Sequence, residues 1–121
     1  MSLKVLVADD SGVMRKIITR SLNALGVSDV VEAADGEEAI VQFKANTFNM
    51  VLTDWNMPGK NGLDVAREIR ALGSAVPIMM ITTESEKSRV MEAIQAGVND
   101  YLAKPFEAET LREKLVKYCG A

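Results

Sequence analysis

Five short apolar runs punctuate this chain, and each stops at polar residues before a segment of helical period begins. They occupy residues 3–8, 30–33, 50–53, 78–81 and 101–103. Continuous apolar runs of this length, without polar alternation, read as strands buried on both faces. Between them, side chains recur at helical spacing. Val13, Met14, Ile17, Ile18, Leu22 and Leu25 mark one face, with Asp10 or Ser11 as its cap and Gly26 as its stop. Ala39, Ile40 and Phe43 mark a second, over residues 37–44, and Leu63, Ala66, Ile69 and Leu72 a third. Val90, Met91 and Ile94 are expected on the buried side of a fourth, starting near residue 86, and Leu111, Leu115 and Tyr118 on a fifth. Strands alternating with helices predict an α/β fold with a parallel sheet covered on both sides. Right-handed crossovers leave few topologies, and the five-stranded doubly wound order 2-1-3-4-5, flavodoxin-like, is the expected one, a choice that draws on a known fold as well as on the crossover rule. A length of 121 residues suits one domain over 1–121.

Composition narrows the chemistry. The net charge of −3 lacks the basic surplus of a nucleic-acid binder. The longest apolar runs, about five residues, fall far short of a membrane span. No leader-like segment is recognised, so a cytoplasmic location is expected. Histidine is absent and Cys119 is the one cysteine, which excludes His-dependent nucleophiles, His-ligated metals and multi-cysteine zinc.

What remains converges at the strand ends. Asp9 and Asp10 follow the first run, Asp54 the third, Thr82 the fourth and Lys104 the fifth. Parallel strands present these ends to one cleft, where open α/β sheets bind their ligands. The third run is expected to carry Asp54 into solvent. Three carboxylates would repel one another there, and a hard divalent cation, Mg²⁺, would relieve them together with Lys104. Such charge balance suits phosphoryl transfer with an aspartate as nucleophile. Asp54 would attack, Asp9 and Asp10 would hold the metal, and the Thr82 hydroxyl would donate to a phosphoryl oxygen. Singly, each residue has an ordinary alternative: caps or turns for the acids, a cap for Thr82, a solvated surface for Lys104. Their joint placement at the ends of four strands is the specific signal.

These residues, with the motifs Asp54-Trp55-Asn56-Met57-Pro58, Ala96-Gly97, Tyr101 and Lys104-Pro105-Phe106, resemble the receiver domain of two-component response regulators from about residue 4 to 118. More narrowly, they are similar to the CheY-like single-domain regulators of chemotaxis. The resemblance implies a phosphorylation-activated switch: Asp54 accepts a phosphoryl group from a CheA-like sensor histidine kinase. Mg²⁺ would be bound by Asp9 or Asp10, Asp54 and the main-chain carbonyl of Asn56. Thr82 and Tyr101 match the family's switch pair, and the Lys104–Pro105 bond one that is usually cis. Asn56 and Glu84 match positions that tune phosphoryl lifetime, whereas Thr83 departs from a common alanine and adds bulk beside the site. The implied output face carries Lys87, Tyr101, Ala103, Phe106 and Lys114. Its expected partner is a flagellar motor switch component, with a phosphatase as a further partner. Catalysis is confined to the domain's own phosphorylation and dephosphorylation.

Other classes remain to be weighed. A haloacid-dehalogenase-type phosphatase also uses a strand-end aspartate, but would place a second acid where Asn56 stands. A flavodoxin would need a phosphate loop where Asp9 and Asp10 would repel phosphate. Within the receiver class, a domain excised from a larger regulator, or a CheY-like protein with a non-motor partner, shares every motif.

Overall fold

The computed structural model describes residues 3–83, 89–104 and 107–120. Strands and helices alternate strictly: β1 (Lys4–Ala8), α1 (Gly12–Ala24), β2 (Asp29–Ala33), α2 (Gly36–Ala45), β3 (Met50–Asp54), α3 (Gly62–Ala71), β4 (Ile78–Thr82), α4 (Val90–Gln95), β5 (Asp100–Ala103) and α5 (Ala108–Cys119). The five strands form one sheet in the order β2-β1-β3-β4-β5, every pair parallel, as the sequence predicts. Registers of Ala8 with Thr53, Asp54 with Ile81 and Thr82 with Ala103 align the carboxyl ends of the central strands.

Each face of the sheet builds its own core. Leu6, Val51, Ile78 and Met80 point to the side covered by α2, α3 and α4, where Ile40, Leu63, Ala66, Ile69 and Ala93 meet them. Val5, Val7, Leu52, Met79 and Ile81 point to the other side, against Ile18 and Leu22 of α1 and Leu111 and Leu115 of α5. Because consecutive residues of a strand face opposite ways, burial on both faces demands unbroken apolar runs. All five residues of β3 and of β4 are buried.

Local signals set the helix starts. Ser11 caps α1, its hydroxyl accepting from the Met14 amide, and Asp35 caps α2 through the Glu38 amide. Asn61 and Asp64 form a reciprocal capping box on α3.

Three expected faces differ from those found. On α1, Ile18 and Leu22 are buried and Met14 and Leu25 pack beside them, but Val13 and Ile17 are 74% and 45% exposed. Residues 14, 18, 22 and 25 form one ridge, while 13 and 17 form the neighbouring ridge, rotated by about 100° per residue. On α4, Ala93 is the buried residue and Val90 is half-buried, while Met91 and Ile94 are 66% and 49% exposed. Val90, Ala93 and Ala96 share a stripe on which Ala93 and Ala96 are buried, and Met91 and Ile94 lie off it. Leu72 follows the last turn of α3 and is exposed. Expectations for Glu84, Lys87, Phe106, the Lys104–Pro105 bond and the start of the fourth helix lie outside the described residues.

Candidate functional site: an acidic cleft at the strand ends

β1, β3, β4 and β5 deliver Asp9, Asp54, Thr82 and Lys104 to one end of the sheet. One carboxylate oxygen from each of Asp9, Asp10 and Asp54 lies within 4.8 Å of the others. Lys104 Nζ is 3.2 Å from Asp54 Oδ1 and 3.8 Å from Asp9 Oδ2. The fourth strand-end residue, Thr82, is buried, and its hydroxyl donates to the Thr83 carbonyl at 3.2 Å. The residues singled out at the four strand ends are thus gathered as the topology predicts.

Asp54 does not project into solvent as expected. It is 9% exposed, at the floor of the cleft, because β3 is the central strand and is covered on both faces through its last residue. Its Oδ1 accepts from the Trp55 amide at 2.8 Å and from Lys104. Burial, and then the neighbouring charge of Asp9, push its carboxyl above the usual carboxylate range. The Lys104 charge and the Trp55 and Lys104 hydrogen bonds oppose that rise without cancelling it.

Asp9 is held from two directions. Its Oδ1 accepts from the Ser11 amide at 2.9 Å, and its main-chain carbonyl accepts from Arg15 Nη1 at 2.7 Å. Arg15 in turn is paired with Glu32 of β2 at 3.2 Å. Its Oδ2 is buried and has no hydrogen-bond partner among the described residues. A buried carboxylate oxygen without a donor is costly, and one beside two further carboxylates forms an all-oxygen donor set that fits a hard divalent cation. Asn56 lies exposed in the loop two residues beyond Asp54.

A glycine closes the far side. Any Cβ at Gly62 would collide with the Asp54 carbonyl and the Met80 side chain, so the start of α3 reaches the strand end only because residue 62 lacks one. The Gly62 amide then donates to the Trp55 carbonyl at 3.0 Å and fixes the loop after Asp54.

Tyr101 sits half-buried in β5 over a cavity of about 10 Å³ lined by Trp55, Met80, Thr82, Val90 and Ala93. Three positioning contacts were not legible in the sequence. Arg15 grips Asp9, the Arg89 guanidinium lies 4.4 Å from the centre of the Trp55 ring, and Asp100 gathers Lys114 and Tyr118 at 2.9 and 3.0 Å. All three pair residues from different elements. The one local hint is Arg15-Lys16 on a helix facing a strand that contains a lone Glu32.

Fold and cleft together define a receiver domain: residues 5–116 match the family described as "Response regulator receiver domain", and the chain belongs to that family. It is homologous to the chemotaxis response regulators. Over 121 residues it is 50% identical to chemotaxis protein CheY1 of Helicobacter pylori (strain J99), covering 98% of each chain. The crystallised chemotaxis protein CheY4 of Vibrio cholerae superposes with a TM-score of 0.89 at 32% identity, over 98% of this chain and 99% of that one. The receiver domain of sensor histidine kinase PA1611 from Pseudomonas aeruginosa, solved with magnesium coordinated in its active-site cleft, has the same TM-score of 0.89 and 32% identity over 100% of both chains. The phosphatase and flavin-binding classes are thereby set aside. No helix among the described residues is long and apolar enough to cross a membrane.

Proposed function

We propose that this receiver, as one domain over residues 1–121, is a phosphorylation-activated switch with Asp54 as phosphoacceptor. The observation that carries this is the buried Asp54 carboxylate, held by Lys104 beside an Asp9 Oδ2 that lacks a hydrogen bond among the described residues. In the reaction, an Asp54 oxygen attacks the phosphorus of a phosphohistidine on a CheA-like kinase. The P–N bond breaks, the imidazole leaves and takes a proton, and a P–O mixed anhydride forms. Lys104 neutralises charge on the phosphoryl group from 3.2 Å away from the nucleophilic carboxylate. Asp9, Asp10, Asp54 and the Asn56 carbonyl would hold Mg²⁺, which when bound supplies further neutralisation of the phosphoryl oxygens. The Asn56 side chain stands near the path of a hydrolytic water and tunes lifetime.

The switch follows from space. The cavity under Tyr101 has room for about one water and none for a phenol ring. When the Thr82 hydroxyl leaves the Thr83 carbonyl for a phosphoryl oxygen, it vacates volume on that wall, and the Tyr101 ring gains a second, buried position. Phosphorylation thereby shifts a population rather than creating a new state.

The output face is built from α4, β5 and α5. Met91 and Ile94 add exposed apolar surface there, beside Tyr101, Ala103 and Lys114, and such surface suits a partner's apolar side chains. We take a flagellar motor switch component as that partner, a phosphatase as a second one and a cytoplasmic setting, a reading supported by relatives that are named as chemotaxis proteins. A receiver belonging to a larger signalling protein is the second reading, since the PA1611 domain of a histidine kinase overlays the whole chain.

Acetyl phosphate with Mg²⁺ should give a phosphoryl adduct by intact mass. The adduct should be absent without Mg²⁺ and absent in Asp54→Asn. An adduct that survives Asp54→Asn would sink the assignment.

A further inference from the structure

Asp100 opens β5 immediately before Tyr101, and its side chain is 15% exposed. Four donors or charges converge on it. The Tyr101 amide donates to Oδ1 at 2.8 Å, Lys114 Nζ and the Tyr118 hydroxyl donate to Oδ2 at 2.9 and 3.0 Å, and Lys117 Nζ stands 4.0 Å away. Burial raises the Asp100 carboxyl, but the bonds from Lys114, the Tyr101 amide and Tyr118 outweigh it and hold it below the ordinary value of 3.8. It is therefore an anion at neutral pH. A lysine ammonium is strongly hydrated and keeps its rotamers unless an anion holds it. Asp100 does so, and the held ammonium lies 6.0 Å from the centre of the Tyr101 ring, within cation–π range. Asp100 also lines the cavity into which that ring would turn.

We propose that Asp100 is a positioning residue for the switch: by holding Lys114 against the Tyr101 ring, it keeps the ring in its resting place until Asp54 is phosphorylated. The proposal rests on Tyr101 as the switch aromatic. In it, Lys114 is committed to Asp100 and Tyr101 in the resting state and is released toward solvent or partner only when the ring departs. Without the anion, Lys114 returns to water and the ring loses its cationic contact. The buried ring position then gains population before any phosphorylation, by roughly two- to fivefold for a contact of this type.

Tyr101 and Tyr118 are the only tyrosines, so the full chain grown on 3-fluorotyrosine gives two ¹⁹F NMR signals, and the one that Tyr118→Phe removes leaves the other assigned to Tyr101. Beryllofluoride with Mg²⁺, which mimics a phosphoryl group on a carboxylate, defines the activated signal. In the full chain, Asp100→Asn should move the resting Tyr101 signal toward the activated position. Lys114→Met should do the same, while Lys114→Arg should stay near the parent. A resting signal unmoved by both Asp100→Asn and Lys114→Met, in a parent that does respond to beryllofluoride, would reduce Asp100 to a structural tie between β5 and α5. A parent signal that ignores beryllofluoride would instead remove Tyr101 as the switch, and the proposal with it.

Discussion

Asp54 and Asp100 are both partly buried aspartates, yet their surroundings push them in opposite directions. Asp100 collects hydrogen bonds enough to outweigh its burial, and Asp54 does not, because Asp9 adds a like charge to the loss of water. In the absence of metal, the Asp54 charge therefore costs folded-state stability at neutral pH. Asp54→Asn should raise the melting temperature by about 2–5 °C in chelator, an effect on the order of 1 kcal/mol. Added Mg²⁺ should raise the melting temperature of the parent well above its effect on the variant. A thermal melt with and without Mg²⁺ reads both outcomes; a variant less stable than the parent in chelator would contradict the cost assigned to Asp54. At this scale the strand-end residues were legible in the sequence, because a continuous apolar run stops where its strand does. Arg15 and Asp100 were not. Their roles depend on Asp9 and Lys114, six and fourteen positions away, which only the packing of α1 and α5 onto the sheet brings near.

At the scale of elements, the start of α4 meets the loop after Asp54 through Arg89 and Trp55. Arg89 occupies the N-cap position of α4 without making a side-chain cap, and its guanidinium lies instead over Trp55. Trp55 is 2% exposed, and its amide is bonded to Asp54 Oδ1. We expect a change at Asp54 to reach the contact on which α4 begins. Trp55 is the sole tryptophan, so its emission isolates this link. Arg89→Ala should alter the resting emission and shrink the change seen on phosphorylation by about half, whereas Arg89→Lys should keep most of it, since both cations bind an indole face. An unchanged phosphorylation response in Arg89→Ala would show that α4 is not coupled through Trp55. The sequence located the helices but not the faces of α1 and α4. Apolar residues at adjacent positions, such as Ile17-Ile18, lie on neighbouring ridges, and periodicity alone does not choose between them. On α4 the buried positions are those of Ala93 and Ala96, and Met91 and Ile94 are left exposed.

Across the whole molecule, two cores share one sheet, and the division of labour follows from it. The core between the sheet and α1 and α5 contains Val5, Leu52 and Met79, while the opposite core contains Trp55, Met80 and Ala93, with Tyr101 packed against it. Trp55, beside Asp54, and Ala93 of α4 thus share one core, a route by which a rearrangement at Asp54 would reach the proposed output face through packed side chains. The parallel strands and the ends that form the cleft were readable because burial on both faces leaves unbroken apolar runs, whereas the strand order came from the crossover rule and a known fold. The output was less readable, since exposure of apolar residues depends on how closely each helix packs. Amide ¹⁵N–¹H spectra of the full chain, before and after phosphorylation with Mg²⁺, test the central claim most directly. Shifts are expected to run from Asp54 through Trp55, Thr82 and Tyr101 into α4 and α5, all lost in Asp54→Asn, while α2 stays quiet. Shifts confined to the loops holding Asp9, Asp10 and Asp54, with Tyr101 and α4 unmoved, would show a phosphoacceptor that is not a switch.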